Sequence, residues 1–134
     1  MLELVTIIVA DYDPAIAFFV GVLGFDLVED VPSLTNDGRA KRWVVVRPPR
    51  AQTGILLARA DGDGQRATIG QQLAGRVGFF LRVDDFELQY ERMCAAGVSF
   101  VSVPRDEPYG RVAVFLDLCG NRWDLLGPRY SGAA

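Results

Sequence analysis

Apolar and polar positions along the chain follow two periods, and the order in which the periods alternate is repeated once. Residues 3–9 (ELVTIIV) are a β-branched apolar run of strand length. Asp11 and Asp13 follow, with Pro14 behind them, and an Asp N-cap before a Pro at the first helical position predicts a helix start at Asp13–Pro14. Ile16, Phe19, Val20 and Leu23 then recur at helical spacing, and Gly24 closes the stripe as a residue able to take positive φ. FDLVED (25–30), KRWVVVR (41–47) and GILLARA (54–60) read as three further strands, with a polar turn from Ser33 to Gly38 and a stop at Pro48-Pro49. The first half is therefore β-α-β-β-β.

The pattern begins again at Val77. VGFFLRV (77–83) predicts a strand, and Asp84 or Asp85 caps a helix with an apolar face of Phe86, Tyr90 and Met93. Gly97 ends that helix, VSFVSVP (98–104) reads as a strand, and RDEPYG (105–110) as a turn-rich loop. RVAVFLD (111–117) and RWDLL (122–126) are the last two strands, joined by a turn containing Gly120. Leu4 to Phe25 and Val77 to Val98 align without a gap, Asp11 on Asp84 and Gly24 on Gly97. ADGDGQ (60–65) is the best internal boundary, and residues 66–75 form a weakly helical link. The expected fold is α+β: two tandem βαβββ modules, about 1–62 and 76–128, forming a curved eight-stranded mixed sheet around a cleft. They make up one domain, 1–130, followed by a tail, 131–134, in a terminus expected to fray from Arg129.

Composition narrows the function classes. The chain has 134 residues, half of them hydrophobic, which suits one ordinary domain with a sizeable core. A net charge of −3 argues against nucleic acid. No apolar run reaches the ~20 residues that span a bilayer, and no signal-peptide pattern opens the chain. The resulting expectation is a soluble cytoplasmic protein. Two cysteines, Cys94 and Cys119, are too few for a disulfide scaffold or a zinc site. Cys94 is expected to be a buried thiol and Cys119 an exposed one in a turn. DGDG (61–64) lacks the remainder of a calcium loop and reads as a solvated turn. There is no histidine anywhere.

VADYDPAIAFFVGVLGF resembles the opening signature of the vicinal oxygen chelate superfamily, the group of glyoxalase I, bleomycin-resistance proteins and extradiol dioxygenases. FLDLCGNRWDLL resembles its closing signature, an Asp-x-x-Gly-Asn turn leading into the final strand. The resemblance covers Leu4 to about Pro128 and implies the scaffold, a small-molecule ligand and a homodimer. Metal-dependent members share four ligand positions. By resemblance these fall at Leu4, near Leu57, at Gly78 and at Asp124. Only Asp124 can bind a cation, so no metal site and no cofactor are expected; without histidine a 2-His-1-carboxylate iron site is excluded.

If those positions face the cleft, strand alternation turns their i±2 neighbours inward as well. Leu4, Thr6 and Ile8 then line it, with Ile55, Leu57 and Arg59 from the fourth strand, Gly78, Phe80 and Arg82, and Arg122, Asp124 and Leu126. Asp124 is the candidate base, hydrogen-bond acceptor or cation ligand; its structural alternative is an ion pair with Arg122, Arg82 or Arg59. The arginines, including Arg105, are candidate clamps for an anion, or simply reach solvent. Glu107 and Tyr109, on a Pro-braced loop able to overhang a cleft, are the remaining acid-base candidates. Trp123 precedes an inward residue and is expected to face a helix or a partner; the facing of Trp43, a possible cleft residue, is open. Two functions follow. One is a metal-free protein binding a small, partly apolar, possibly anionic ligand through Arg59, Arg82, Arg105, Arg122, Phe80, Leu57 and Trp43. The other is a glyoxalase-like lyase or isomerase using Asp124 with Glu107 and Tyr109.

Overall fold

The computed structural model describes residues 1–130; the tail predicted for 131–134 lies outside the described residues. The chain divides into two compact units, Met1–Gln72 and a second from Leu73 onward. The first contains β1 (Leu4–Val9), α1 (Tyr12–Ile16), a π-helical continuation (Ala17–Val22), β2 (Asp26–Leu34), β3 (Ala40–Arg47), β4 (Gly54–Arg59) and α2 (Asp63–Thr68). The second contains β5 (Val77–Arg82), α3 (Phe86–Ala95), β6 (Arg105–Glu107), β7 (Gly110–Leu116) and β8 (Arg122–Leu126). The eight strands hydrogen-bond as two four-stranded mixed sheets, ordered β1-β4-β3-β2 and β5-β8-β7-β6. The predicted α+β class and tandem βαβββ modules are both present.

In the first unit the buried strand side chains, Val45 apart, lie on one face of the sheet. Ile7 and Val9 of β1, Val44 and Val46 of β3 and Ile55 and Leu57 of β4 are buried there, as are Tyr12, Ala15, Phe19 and Leu23 of the helix and its end. α1 packs on β3 and β4. Its cap is Asp11, whose carboxylate accepts from Tyr12 N at 2.8 Å, and not the predicted Asp13; Asp13 and Pro14 sit inside the first turn. An acidic residue there favours the positive end of the helix as well as a cap would. The helix then widens, with Leu23 N donating to Phe18 O at 3.0 Å.

The second unit repeats this plan with different detail. Asp85 caps α3 through Leu88 N at 3.1 Å. Gly97 (φ 85°) closes it, with Val98 N bonded to Met93 O and Gly97 N to Cys94 O, a Schellman ending. Phe115 and Trp123 stack at 5.7 Å and Phe79 and Trp123 at 4.6 Å on the α3 side of the sheet. Trp123 therefore faces the helix side, as alternation predicts. Cys94 is exposed, contrary to expectation, because the buried stripe of α3 runs through Phe86 and Met93 and Cys94 lies one residue, about 100° of helix, past it.

The strand predicted at 98–104 is the clearest misreading. Only Phe100 bridges to Phe115, with backbone bonds from Val101 N to Val114 O and from Leu116 N to Ser99 O. Regular pairing with β7 resumes as β6 at Arg105–Glu107, inside the segment predicted as loop. Pro104 has no N–H to give to a ladder, and the chain passes it before the register recovers. The linker also shifts. Gly62 (φ 88°) turns into α2 at Asp63, ahead of the predicted 66–75, so DGDG is half turn and half helix start.

Candidate functional site

Register fixes which side chains share the open face of each sheet. In the first unit Leu4, Thr6 and Ile8 of β1 pair with Gly54, Leu56 and Ala58 of β4, opposite the buried Ile7–Leu57 set. Trp43 is on this open face too, because it alternates with the buried, helix-side Val44 and stands across from Val31. Ile55, Leu57 and Arg59 belong to the helix side, so the inward facing expected for them is one residue out of phase. Leu57 is completely buried, and the Arg59 guanidinium lies 5.0 Å from the Tyr12 ring centre while donating to Ala40 O at 3.3 Å. The phase was carried from the ligand position that the resemblance puts near Leu57, whereas pairing with β1 puts Leu56, not Leu57, on the face of Leu4 and Thr6.

A cavity of about 410 Å³ opens at this end of the first unit, lined by Tyr12, Lys41, Trp43, Leu56, Arg59, Gln65 and Arg66 among others. Its cations are unequally committed. Arg39 is gripped by Asp61 through two nitrogens (3.0 and 2.8 Å) and by Asp37. Arg42 is held between Asp30 and Asp13, with its backbone N–H on the Tyr12 hydroxyl. Arg66 pairs with Asp63. These bonds hold the Asp61, Asp37 and Asp30 carboxyls below the usual carboxylate range, chiefly through Arg39 for Asp61, Thr35 then Arg39 for Asp37, and Arg42 for Asp30. Lys41 and Arg59 are the lining cations with no carboxylate partner among the described residues. Sequence reasoning named Trp43 and Arg59 but missed Lys41; its two-residue spacing from Trp43 on one strand was the available signal.

In the second unit the alternation holds. Phe80 pairs with Asp124 and Arg82 with Leu126 on the face opposite Phe79, Trp123 and Leu125. Phe80 is 64% exposed, whereas Asp124 is 8% exposed. Burial pushes the Asp124 carboxyl up from its ordinary value, and Arg105 partly opposes this. No hydrogen bond or ion pair reaches the Asp124 carboxylate among the described residues, so the expected pairing with Arg122, Arg82 or Arg59 is not formed. Arg82 Nη1 is occupied by Gly127 O (2.6 Å) and Tyr109 O (3.3 Å), which makes it a clamp on the β6–β7 turn. Arg105 Nε donates to Glu107 at 2.8 Å and is held protonated by that bond first, then by the field of Glu107 and by Tyr109. Arg105, Glu107 and Tyr109 therefore form one group, and Asp124 feels its cation. Arg122 is exposed at the start of β8.

The Asp-x-x-Gly-Asn turn has a different task. Asp117, 5% exposed, accepts from Cys119 N (2.9 Å), Asn121 N (3.0 Å), Asn121 Nδ2 (3.1 Å) and Trp123 Nε1 (3.0 Å). It locks the β7–β8 hairpin and ties the core tryptophan to it. Cys119, expected exposed, is half-buried in this turn.

Two βαβββ units with these opening and closing turns define a protein class, and comparison with known sequences gives its name. The family profile of the Glyoxalase/Bleomycin resistance protein/Dioxygenase superfamily matches residues 2–125, and the chain belongs to that superfamily. An uncharacterised protein of Shewanella frigidimarina (strain NCIMB 400) is 50% identical over 123 residues, 91% of this chain and 89% of that one. Among solved structures, UcmS2 is similar at 32% identity and a TM-score of 0.77, covering 94% of this chain and 96% of that one. TnmS3, an antibiotic binding protein from Streptomyces sp. CB03234, is similar at 30% identity and a TM-score of 0.73, covering 96% and 95%. Small-molecule binding is the general property this membership supports.

A metal, which the resemblance implies for the catalytic members, does not fit these residues. Leu4 and Gly78 offer no donor, and the β4 position is Leu56 by register, Leu57 by resemblance. At Gly78 the space a side chain would need is taken by Leu73, whose Cδ1 lies 1.6 Å from where a Cβ would stand. Among the described residues no three His, Cys, Asp or Glu side chains come together as a metal site.

Proposed function

We propose that the protein is a metal-independent small-molecule-binding protein of the cytoplasm, acting as a homodimer, whose ligand is partly apolar and carries an anionic group. The observation behind this is the first-unit cavity, where an indole and aliphatic floor meets two cations, Lys41 and Arg59, that no carboxylate of the described residues neutralises. An apolar pocket with a few convergent polar groups is the usual form of a small-molecule site. The antibiotic-binding activity of TnmS3 supports the same reading by similarity.

2-Naphthoate titrated into protein purified without added metal or chelator tests it, read by fluorescence of Trp43. Saturable quenching that survives EDTA is the expected result. Absence of binding, or binding that EDTA abolishes, overturns it. A second reading, lyase or isomerase chemistry by Asp124 with Glu107 and Tyr109, rests on the unpartnered Asp124 carboxyl with its raised pKa. On that reading Asp124→Asn abolishes turnover of a carbonyl substrate; on the first it changes affinity alone.

A further inference from the structure

The open face of the second unit holds a carboxylate that no protein donor meets among the described residues. Asp124 is more than nine-tenths buried, and its carboxylate has no partner among the described residues. Its oxygens are not among the buried atoms left without a partner, so they open onto this face, where a ligand's donor can reach a carboxylate that is otherwise largely shielded from water. Its neighbour across the ladder is Phe80, which leaves most of its ring in solvent on the same face. On the other side lies Val114 of β7. The charged groups on this face are Arg105 and Glu107 of β6, Arg82 of β5 and Arg122 of β8. Arg105 is occupied by Glu107 and Arg82 by backbone carbonyls. Three guanidinium groups against two carboxylates make the face cationic on balance, which disfavours an ammonium ligand.

We infer that Asp124 and Phe80 form a subsite for a neutral, ring-bearing group that carries a hydrogen-bond donor, such as a phenol, enol or N–H. The ring packs on Phe80 and the donor completes Asp124. This rests on the small-molecule-binding reading above and adds the chemical class of group that the second unit's open face takes. Asp124 acts here as a specificity-determining acceptor, whether or not a reaction follows.

Three naphthalene probes separate the possibilities at pH 7: 2-naphthol, 2-methoxynaphthalene and 2-naphthylmethylammonium, each titrated by calorimetry. The donor should give 2-naphthol an advantage of tenfold or more over its methyl ether, with the ammonium probe weaker than the naphthol. Asp124→Leu should erase the advantage while binding of the ether persists, and Phe80→Ala, at an exposed site, should weaken all three. Equal binding of naphthol and ether by the native protein overturns the inference without any variant having to fold. A preference for the ammonium probe also overturns it. If 2-naphthoate binds while the naphthol advantage is absent, the subsite falls and the proposed function stands. If no naphthalene probe binds, both fall.

Discussion

Asp117 and Asp124 belong to one hairpin and are buried to nearly the same degree, 5% and 8% exposed, yet their surroundings treat them oppositely. Asp117 meets four donors, so its charge is fully solvated by the protein. Replacing it with Ala strands two backbone N–H groups and the Trp123 indole N–H, and should cost about 3 kcal/mol in urea unfolding. A loss under about 0.5 kcal/mol would mean that water replaces those bonds and that Asp117 does not hold the hairpin. Among the described residues Asp124 meets no donor, and burial raises its folded pKa above the ordinary 3.8. The folded state therefore holds this proton more tightly than the unfolded chain does. Stability from this group is present below pH 3.8 and is lost as pH rises through the raised value. Asp124→Asn should match the native protein in thermal midpoint near pH 3 and exceed it at pH 7. The reverse order at pH 7 would show that the carboxylate has a partner in solution. The sequence marks both residues, one in a turn signature and one by strand alternation. It does not reveal their opposite satisfaction, because that depends on where Trp123, Arg82 and Arg105 place their polar atoms.

At the scale of elements, β1 ends its sheet, and its outer backbone is met by a side chain. Gln72 accepts from Ile8 N at 3.0 Å and donates to Thr6 O at 2.9 Å, so one amide does the work of a neighbouring strand's peptide. This closes an edge that would otherwise offer free N–H and C=O groups. Gln72→Leu should speed amide exchange at Ile8 by about tenfold, with exchange at Ile7 and Val9, whose bonds run elsewhere, unchanged. Uniform acceleration along β1 would instead mean that the whole strand loosens. Seven of the eight strands and the two long helices were legible from apolar periodicity and from Gly24 and Gly97. The eighth strand was misplaced because Val98, Phe100 and Val101 have the residue types of a strand, while Pro104 moves regular pairing on to Arg105–Glu107. The phase of β4 was misjudged for a related reason. Both of its faces are largely apolar in GILLAR, so alternation in the sequence cannot say whether Leu56 or Leu57 points at the helix. In β5 and β8 the phase came from the resemblance, which places Asp124 on the cleft side, and the register puts Asp124 with Phe80, opposite Trp123 and Leu125.

For the whole molecule, repetition at the level of fold coexists with divergence at the level of chemistry. Both units keep the capped helix, the glycine ending and the parallel pairing of first and last strand. One open face carries Trp43 beside Lys41, which has no carboxylate partner among the described residues, and the other an exposed phenylalanine beside a largely buried acid. The family was legible because turns and caps are local and leave their residues in the sequence. The candidate site was only partly legible, because commitment of a charge is a long-range property: Arg82 and Arg59 read alike along the chain, yet one clamps a turn and the other lies over Tyr12. Exposed apolar side chains also exceed what scattered surface residues require. Leu27, Val31 and Leu34 on the edge strand β2 are 44, 48 and 64% exposed, and Val103 is 78% exposed. Leu27 and Leu34 stand across from Val46 and Ala40 on the helix side and Val31 across from Trp43 on the open face, so both faces of this edge strand leave apolar side chains in water, and a second copy of the chain pairing along the edge is the occupant consistent with the proposed homodimer. Light scattering at micromolar concentration should give twice the 14.7 kDa chain mass. Placing Lys at both Leu27 and Val31, solvent-tolerant positions on an edge, should return the mass to that of one chain with the thermal unfolding still cooperative. A single-chain mass for the native protein across the concentration range would refute the dimer, and a dimer that survives both lysines would move its interface away from β2.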